Sequence, residues 1–209
     1  MDNGSMIATK SLSKSFQSRE INYPDFTTEK GDFILVCGDS GTGKSTLCEM
    51  IAGFLSQDSG SVLINGRDVR SQNVFESIHY VSQFPEHNLI GPTCYEEIDL
   101  WMQTNSSQQS DASAFIRDQL KEFYLAELVD KPIWKLSFGK KKALTFCAIS
   151  TVKRNIWILD EPFAGLDKEI TVKVKEMFNE FIVSGGTIVA TSHTDKPFGE
   201  FSVKKVVLK

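Results

Sequence analysis

Apolar and polar positions along the chain predict strands and helices in alternation. Continuous apolar runs, typical of strands buried in a parallel sheet, occur at Phe33–Cys37 and Ile156–Leu159. Shorter or partly alternating runs predict six further strands: Ile7–Phe16, Ile21–Thr27, Val62–Ile64, Ile78–Val81, Thr187–Ala190 and Ser202–Leu208. The dipeptide Asn65-Gly66 is one that a type I′ hairpin turn prefers. This pattern favours an α/β fold with a largely parallel core.

The stretch 84–151 has a mostly helical pattern. Three helices are predicted there: Tyr95–Gln103, Asp111–Tyr124 and Ser137–Thr151. A polar loop is predicted over Asn105–Ser110. Two further helices are predicted at Thr46–Ala52 and Lys168–Val183, and Gly185-Gly186 ends the second one. The apolar stripe of that helix is interpreted as core packing: Ile170, Val174, Met177, Phe178, Phe181 and Ile182.

Composition places the chain among ordinary globular domains. It has 209 residues, 41% of them hydrophobic and 24% charged, so we expect one domain. A net charge of −4 argues against a nucleic-acid partner, which requires a basic surface. No apolar run approaches the roughly 18 residues of a membrane span, and the polar start predicts no signal peptide. Residues Met1–Ser5 are interpreted either as natural sequence or as a cloning remnant.

The four cysteines are widely spaced and form no CxxC pair, so neither a zinc site nor a disulfide framework is predicted. We expect four reduced, mostly buried thiols. They are Cys37, Cys48, Cys94 and Cys147.

The segment Gly38–Thr46 matches the pattern G-x-x-x-x-G-K-[ST] and lies between a buried strand and a helix. Its glycines let backbone N–H groups point at a phosphate chain, and the positive end of the helix dipole faces the same phosphates. Lys44 can reach the β- and γ-phosphates, the Ser45 hydroxyl can bind Mg²⁺, and Thr46 can help to hold the loop. We therefore predict a nucleoside triphosphate site in this loop: Gly38, Asp39, Ser40, Gly41, Thr42, Gly43, Lys44, Ser45 and Thr46.

Two acids follow the apolar strand Ile156–Leu159. In a chain with a phosphate loop, an acid at the tip of a buried strand can hold Mg²⁺ directly or through water. We assign that role to Asp160. The adjacent Glu161 is placed to orient or deprotonate an attacking water.

Several short motifs follow one another in the order that ABC ATPases have, and the chain resembles that family over nearly its whole length. Asp160-Glu161-Pro162 and Ala164–Asp167 resemble its Walker B and D-loop, and His193 resembles its switch histidine. Gln83 resembles the Q-loop glutamine, which coordinates metal or water. The segment Leu136–Lys140 stands in the place of the LSGGQ signature. Phe16 stands where an aromatic residue stacks on adenine.

The resemblance implies ATP and Mg²⁺ as ligands and a P-loop NTPase fold. Such a fold has a RecA-like, mostly parallel sheet core, an antiparallel β subdomain and an inserted α-helical subdomain. We expect a single domain over 1–209, with the core and β subdomain in about 1–83 and 152–209 and the helical subdomain in about 84–151.

In ABC ATPases two domains close head to tail on two ATP molecules. This implies that Ser137 and the Gly139 amide touch the γ-phosphate bound by the partner, and that Asp167 lies at the dimer seam. Around the phosphoryl group, Lys44 and His193 would stabilise charge while Glu161 acts on the water.

The signature differs from the family pattern, because Phe138 replaces its first glycine and Lys140 its glutamine. If that glycine has a left-handed backbone, a phenylalanine costs roughly 1–2 kcal/mol, and its ring could crowd the γ-phosphate. We expect a weakened signature. Both a homodimer and a heterodimer with a second ABC ATPase remain open.

The segment that starts at Gln83 resembles the energy-coupling factor ATPases, which drive vitamin and metal-ion importers. The resemblance implies transmembrane permease partners that dock near Phe84–Trp101, and a peripheral location on the cytoplasmic face of the cell membrane. Leu89, Ile90 and Trp101 suit such a docking groove, although ordinary packing would also explain them. A soluble ABC ATPase without a transport role is the alternative. No residue identifies a cargo.

Overall fold

The computed structural model describes residues 5–16, 19–71, 74–103 and 111–208. Met1–Gly4 and the predicted polar loop Asn105–Ser110 lie outside these ranges. The chain divides into two compact units. The first unit comprises Met1–Gln83, Arg154–Pro162 and Asn179–Lys209, and the second comprises Phe84–Lys153 and Phe163–Phe178.

The elements form a mixed α/β order in which groups of strands are separated by one or more helices. The strands are β1 (Ile7–Phe16), β2 (Arg19–Asn22), β3 (Phe26–Thr28), β4 (Phe33–Cys37), β5 (Ser59–Ile64), β6 (Arg67–Asp68), β7 (Ile78–Val81), β8 (Ile156–Leu159), β9 (Thr187–Ser192) and β10 (Val203–Val207). The α-helices are α1 (Lys44–Ile51), α2 (Cys94–Gln103), α3 (Ala112–Glu122), α4 (Phe138–Ser150) and α5 (Lys168–Val183).

A five-stranded parallel sheet forms the core of the first unit, in the order β10-β4-β9-β8-β7. Strands β8 and β9 are buried along their whole length, which explains why they have apolar residues on both faces. Because the strands are parallel, the segments that follow β4, β7, β8 and β9 emerge at the same edge of the sheet. The candidate site residues Lys44, Gln83, Asp160 and His193 all follow one of these strands.

The antiparallel sheet of the first unit has the order β2-β1-β5-β6, and β3 also pairs with β1. The turn between β5 and β6 has positive φ at Asn65 (50°) and Gly66 (75°), and Ile64 pairs with Arg67 across it. This confirms the predicted type I′ turn. The single strand predicted over Ile21–Thr27 is wrong. Tyr23–Asp25 separates β2 from β3, and Pro24 within it has no N–H to donate to a ladder.

The helices of the second unit start at short polar residues. The Asp111 side chain accepts a hydrogen bond from the Ala114 N–H (3.0 Å) at the start of α3. Ser137 caps α4 in the same way, by accepting from the Lys140 N–H at 3.4 Å. These contacts explain why α3 and α4 begin within one residue of the predicted positions.

Helix α5 has the predicted bounds and buries Ile170, Val174, Met177 and Phe178. Near its end, Phe181 stacks on Trp157 of β8, with ring centroids 3.9 Å apart and planes at 7°. The amides of Gly185 and Gly186 donate to the carbonyls of Ile182 and Phe181, which confirms the predicted helix end. Within the described ranges, no helix is both long and apolar enough to cross a bilayer.

Candidate functional site

The phosphate loop connects β4 to α1, and two of its glycines have backbone conformations that other residues rarely adopt. Gly41 and Gly43 have φ of 81° and 93°, and Gly43 caps α1 in the left-handed conformation. The Lys44 ammonium is buried and donates to the carbonyls of Gly38 (2.7 Å) and Asp39 (2.9 Å). The Thr42 hydroxyl also donates to the Asp39 carbonyl, at 2.9 Å. The loop therefore surrounds one buried positive charge.

Asp160 follows β8 and is almost fully buried, with 2% of its surface exposed. Its N–H donates to the Val81 carbonyl at 2.8 Å, which fixes its backbone against β7. The Thr191 hydroxyl donates to Asp160 Oδ1 at 2.5 Å and accepts from the Glu161 N–H at 3.0 Å. Thr191 thus orients both acids. Sequence reasoning gave Thr191 no role, since a threonine within an apolar strand has no distinguishing pattern.

Lys44, His193 and Glu161 form a connected series of polar contacts. Lys44 Nζ lies 3.2 Å from His193 Nδ1, and His193 Nε2 lies 3.3 Å from Glu161 Oε1. An ammonium can only donate, so a hydrogen bond between Lys44 and His193 requires Nδ1 as its acceptor. Burial raises the pKa of Glu161, and the neighbouring His193 and Lys44 oppose that rise.

Glu161 has a positive φ of 47°, in the left-handed region that non-glycine residues rarely occupy. Such a backbone is retained where its surroundings hold it, and here the Thr191 hydroxyl accepts the Glu161 N–H. This conformation directs Glu161 away from the direction that a continued strand would give. No sequence pattern indicated it.

One open pocket of about 440 Å³ in the first unit brings together most of the predicted site residues. It is lined by Phe16, Arg19, Ile21, Ser40, Gly41, Gly43, Lys44, Ser45, Thr46, Gln83, Asp160, Glu161 and His193. The predicted loop residues Gly38, Asp39 and Thr42 make the hydrogen bonds that shape the loop. Phe16, at the end of β1, is about half exposed on the pocket wall.

Arg19 and Ile21 line the pocket beside Phe16, although sequence reasoning missed both. They belong to β2, which pairs with β1 so that Phe16 lies opposite Arg19. The Arg19 guanidinium donates to the Gly41 carbonyl at 3.3 Å. The sequence signal that could have found them is the position of β2 directly after Phe16. A strand that pairs with the end of β1 brings its residues to the same wall of the pocket as Phe16.

Ser137, Gly139 and Asp167 belong to the second unit. Ser137 is exposed at the start of α4. A Cβ on Gly139 would lie 2.6 Å from the Gly165 carbonyl oxygen, so that position tolerates only glycine without movement. Asp167 accepts from the Ile170 N–H at 2.9 Å and caps α5. The signature and D-loop segments are therefore in close contact within one subunit.

Phe138 is the first residue of α4 and does not have a positive φ. The strain expected for a left-handed backbone at this position does not arise. Its ring lies over Gly165, where an added Cβ would be 2.5 Å from Phe138 Cδ1. The Lys142 ammonium lies 5.8 Å from the ring centroid and donates to the Ala164 carbonyl at 3.3 Å.

The pocket offers oxygen donors of the kind that Mg²⁺ prefers. These are the Ser45 hydroxyl, the Gln83 amide and the Asp160 carboxylate. No group of three or more His, Cys, Asp or Glu side chains suitable for a metal exists among residues 5–16, 19–71, 74–103 and 111–208. A set with one carboxylate fits an ion that also takes oxygens from phosphates and water.

Comparisons with known proteins identify a matching family and several relatives. Residues 21–164 match the family described as ABC transporter. The energy-coupling factor transporter ATP-binding protein EcfA1 of Fusobacterium nucleatum is 27% identical over 193 residues, which are 90% of this chain and 73% of that protein. The cytochrome c biogenesis ATP-binding export protein CcmA of Reclinomonas americana is 30% identical, with coverage of 82% of this chain and 77% of that protein.

A solved structure, cbiO1 from Clostridium perfringens, resembles this chain with a TM-score of 0.77 and 26% identity. The match covers 99% of this chain and 85% of that one. That protein is described as part of the ABC transporter complex cbiONQ. The shared architecture confirms the predicted P-loop fold. The family model matches more than half of the chain, and a phosphate loop, an acid pair and a histidine surround one pocket. This chain therefore belongs to the ABC transporter family and is an ATP-binding ATPase.

Proposed function

We propose that the chain is the ATP-hydrolysing subunit of an energy-coupling factor importer, a class that carries vitamins or metal ions. The observation that carries this proposal is the pocket in which Lys44, Asp160, Glu161 and His193 meet behind the phosphate loop. Relatives named as energy-coupling factor ATP-binding proteins, in Fusobacterium nucleatum and in Acetivibrio thermocellus, support the branch.

In this proposal ATP lies in the pocket with its adenine against Phe16 and its phosphates in the loop Gly38–Thr46. The buried Lys44 ammonium and the N-terminus of α1 stabilise the negative charge of the phosphates. Glu161 accepts a proton from the attacking water or orients it, and His193 lies beside the carboxylate, with its Nε2 3.3 Å from Glu161 Oε1. Catalysis by these groups is mainly positioning and charge stabilisation.

Mg²⁺ would be held by Ser45, Gln83 and Asp160, and when bound it would neutralise charge on the phosphate oxygens. The Thr191 hydroxyl keeps Asp160 Oδ1 in a fixed position by donating to it. Gln83 follows β7 and precedes the second unit, so it would connect the nucleotide site to the helical segment.

The second unit would act on the nucleotide of a partner ATPase. Ser137 is exposed at the start of α4, where the positive end of the helix dipole favours a phosphate. The Gly139 amide and Asp167 would complete that contact at the seam of a homodimer or a heterodimer. The ring of Phe138 at the same helix start supports the view that this signature is weaker than the family pattern.

A transmembrane permease would dock on the surface of Phe84–Trp101, and the chain would then lie peripherally on the cytoplasmic face of the membrane. Phe84 and Ile90 expose 52% and 80% of their surfaces, which suits an apolar contact. Leu89 and Trp101 are only partly exposed. The Trp101 indole donates to Glu97 at 2.8 Å, which holds that ring against its own helix, and its part in docking stays a proposal.

Affinity purification from native membranes in mild detergent, followed by mass spectrometry, tests the proposal. We expect integral membrane proteins in stoichiometric amounts with the chain, and a second copy or a second ATPase. The smallest membrane component would then identify the cargo class. Recovery of soluble proteins alone would overturn the transporter assignment and favour an ABC ATPase without a transport role.

A further inference from the structure

Glu97 of α2 is a fully buried acid that the proposed catalytic cycle does not use. Its Oε2 accepts hydrogen bonds from the backbone N–H groups of Ile90 (2.9 Å) and Gly91 (2.6 Å). Its Oε1 accepts from the Trp101 indole N–H one helical turn later, at 2.8 Å. An ionised carboxylate only accepts hydrogen bonds, so these three N–H donors match what it requires.

The approach of the chain to Glu97 depends on a glycine. A Cβ on Gly91 would lie 2.6 Å from the Glu97 amide nitrogen and 2.7 Å from its Cα. Real side chains do not tolerate such distances, so any other residue at position 91 would push the loop away from α2. The adjoining residues are also fixed, because the Pro92 carbonyl accepts from the Ile133 N–H at 3.1 Å and Thr93 forms a bridge with Pro132.

The side chain that this arrangement presents is Ile90. Its backbone N–H is bonded to a buried carboxylate, whereas 80% of the residue surface is exposed. An apolar side chain on a loop that is already ordered loses less conformational entropy when a partner covers it. A loose loop with the same residue would bind more weakly, because its ordering would oppose association.

We infer that Glu97 is a positioning residue that holds the turn at Ile90 and Gly91, so that Ile90 is presented in a fixed place to an apolar site on the membrane partner. The inference rests on the proposed docking of a permease on Phe84–Trp101. Glu97 acts through the loop backbone and touches no substrate. Its loss should therefore weaken coupling to the partner and leave ATP turnover of the isolated chain unchanged.

Hydrogen exchange of the purified chain tests the contact itself without any partner. We expect the Ile90 and Gly91 amides to exchange slowly in the wild type, and about tenfold faster or more in Glu97→Gln. The amide side chain has one acceptor oxygen for the three N–H donors, and its NH2 group would face one of them. Glu96→Gln is the matched control. The neighbouring Glu96 is exposed and bonds to the Thr93 hydroxyl (2.7 Å), so its variant should leave these amides slow.

Gly91→Ala keeps the buried acid and displaces only the loop. It is the alternative test of the same contact if Glu97→Gln does not fold. It should accelerate the same two amides. Unchanged exchange of Ile90 and Gly91 in the folded Glu97 or Gly91 variant would overturn the inference.

Recovery of membrane proteins tests the consequence for the partner. In the purification from native membranes, we expect Glu97→Gln and Ile90→Ser to lower the amount of membrane protein recovered per chain at least severalfold. Val183→Ser is the matched control, because Val183 is 87% exposed and lies at the end of α5, in the other unit. Fast amide exchange with wild-type recovery of membrane proteins would refute the positioning role.

The two proposals fail in different ways. If the wild-type chain recovers no membrane protein, the proposed function fails before any variant is compared. If the wild type recovers its partners and the variants recover them equally well, only the role of Glu97 and Ile90 is refuted.

Discussion

At the scale of single residues, the contacts of Lys44, His193 and Glu161 explain how one histidine can serve two charges. Lys44 Nζ lies 3.2 Å from His193 Nδ1, and Glu161 Oε1 lies 3.3 Å from His193 Nε2, so the ring stands between the ammonium and the carboxylate. A change at His193 should therefore affect both the position of the base and the charge around the phosphates.

Glu161→Gln should retain ATP binding and lose most turnover, because the amide keeps the shape of the side chain but cannot accept a proton from water. The loss should fall in kcat by about 10²-fold or more, which is the usual contribution of a general base. Steady-state hydrolysis and a nucleotide-binding titration of the purified variant measure the two effects. The exposed Glu180→Gln is a control that should retain wild-type kcat. Turnover of Glu161→Gln at the wild-type rate would show that the base is a different group.

Phe138→Gly should raise ATP turnover of the isolated chain, since it removes a ring from the start of the signature helix. The ring lies over Gly165 and is 37% exposed, so its removal opens the helix start without creating a large buried cavity. Hydrolysis rates at several protein concentrations test this, because any benefit of self-pairing grows with concentration. An unchanged rate at every concentration would indicate that Phe138 does not limit the signature.

At the scale of elements, short continuous apolar runs located strands well. Strands β4 and β8 are unbroken apolar runs buried on both faces, and they have the predicted bounds. Strand β7 also has its predicted bounds, although His79 interrupts its apolar pattern. Helix α1 begins at Lys44, two residues before the prediction, because the left-handed cap at Gly43 starts the helix inside the phosphate loop. Single-sequence patterns do not contain that geometry.

Some residues of the candidate site were predicted from the sequence and others were not, because sequence patterns do not contain tertiary geometry. Lys44 was predicted from the spacing of the phosphate loop, and Asp160 from its position directly after an apolar strand. Arg19 and Thr191 reach the site through strand pairing and side-chain hydrogen bonds, which depend on tertiary structure. The division of the chain into subdomains, and the contacts of Ser137 and Asp167 with a partner's nucleotide, stay predictions.

The stack of Phe181 on Trp157 should be a main contact between the end of α5 and β8. Phe181→Ala should lower the free energy of unfolding by about 1–3 kcal/mol, because it removes the apolar stack on the buried Trp157 ring. Denaturant unfolding followed by Trp fluorescence measures the change. Val183→Ala, two residues later and exposed, should change stability by less than about 0.5 kcal/mol. Equal effects of the two variants would contradict the assigned packing.

At the scale of the whole molecule, the four thiols report on whether the fold is intact. Burial raises the pKa of all four thiols, to about 11 for Cys94, and Cys48, Cys94 and Cys147 are buried. A raised pKa lowers the fraction of reactive thiolate at any pH below it. The native chain should therefore react slowly with iodoacetamide at pH 8.

Unfolding in denaturant should make all four cysteines react at the rate of a free thiol. Cys37, which is partly exposed, should be the first to react in the native chain. Mass spectrometry after timed labelling measures the number and position of modified residues. Cys48 is buried in α1 and Cys147 is buried in α4. Rapid labelling of either residue in the native chain would contradict these positions.

The central claim is that ATP hydrolysis in the pocket behind Gly38–Thr46 powers a membrane partner. The most direct measurement compares ATP turnover per chain for the purified chain alone and for the complex recovered with it from native membranes and placed in lipid vesicles. We predict a higher turnover in the complex, because the partner brings two ATPase subunits together on their nucleotides. Equal turnover with and without the membrane proteins would contradict the claim that this ATPase is coupled to transport.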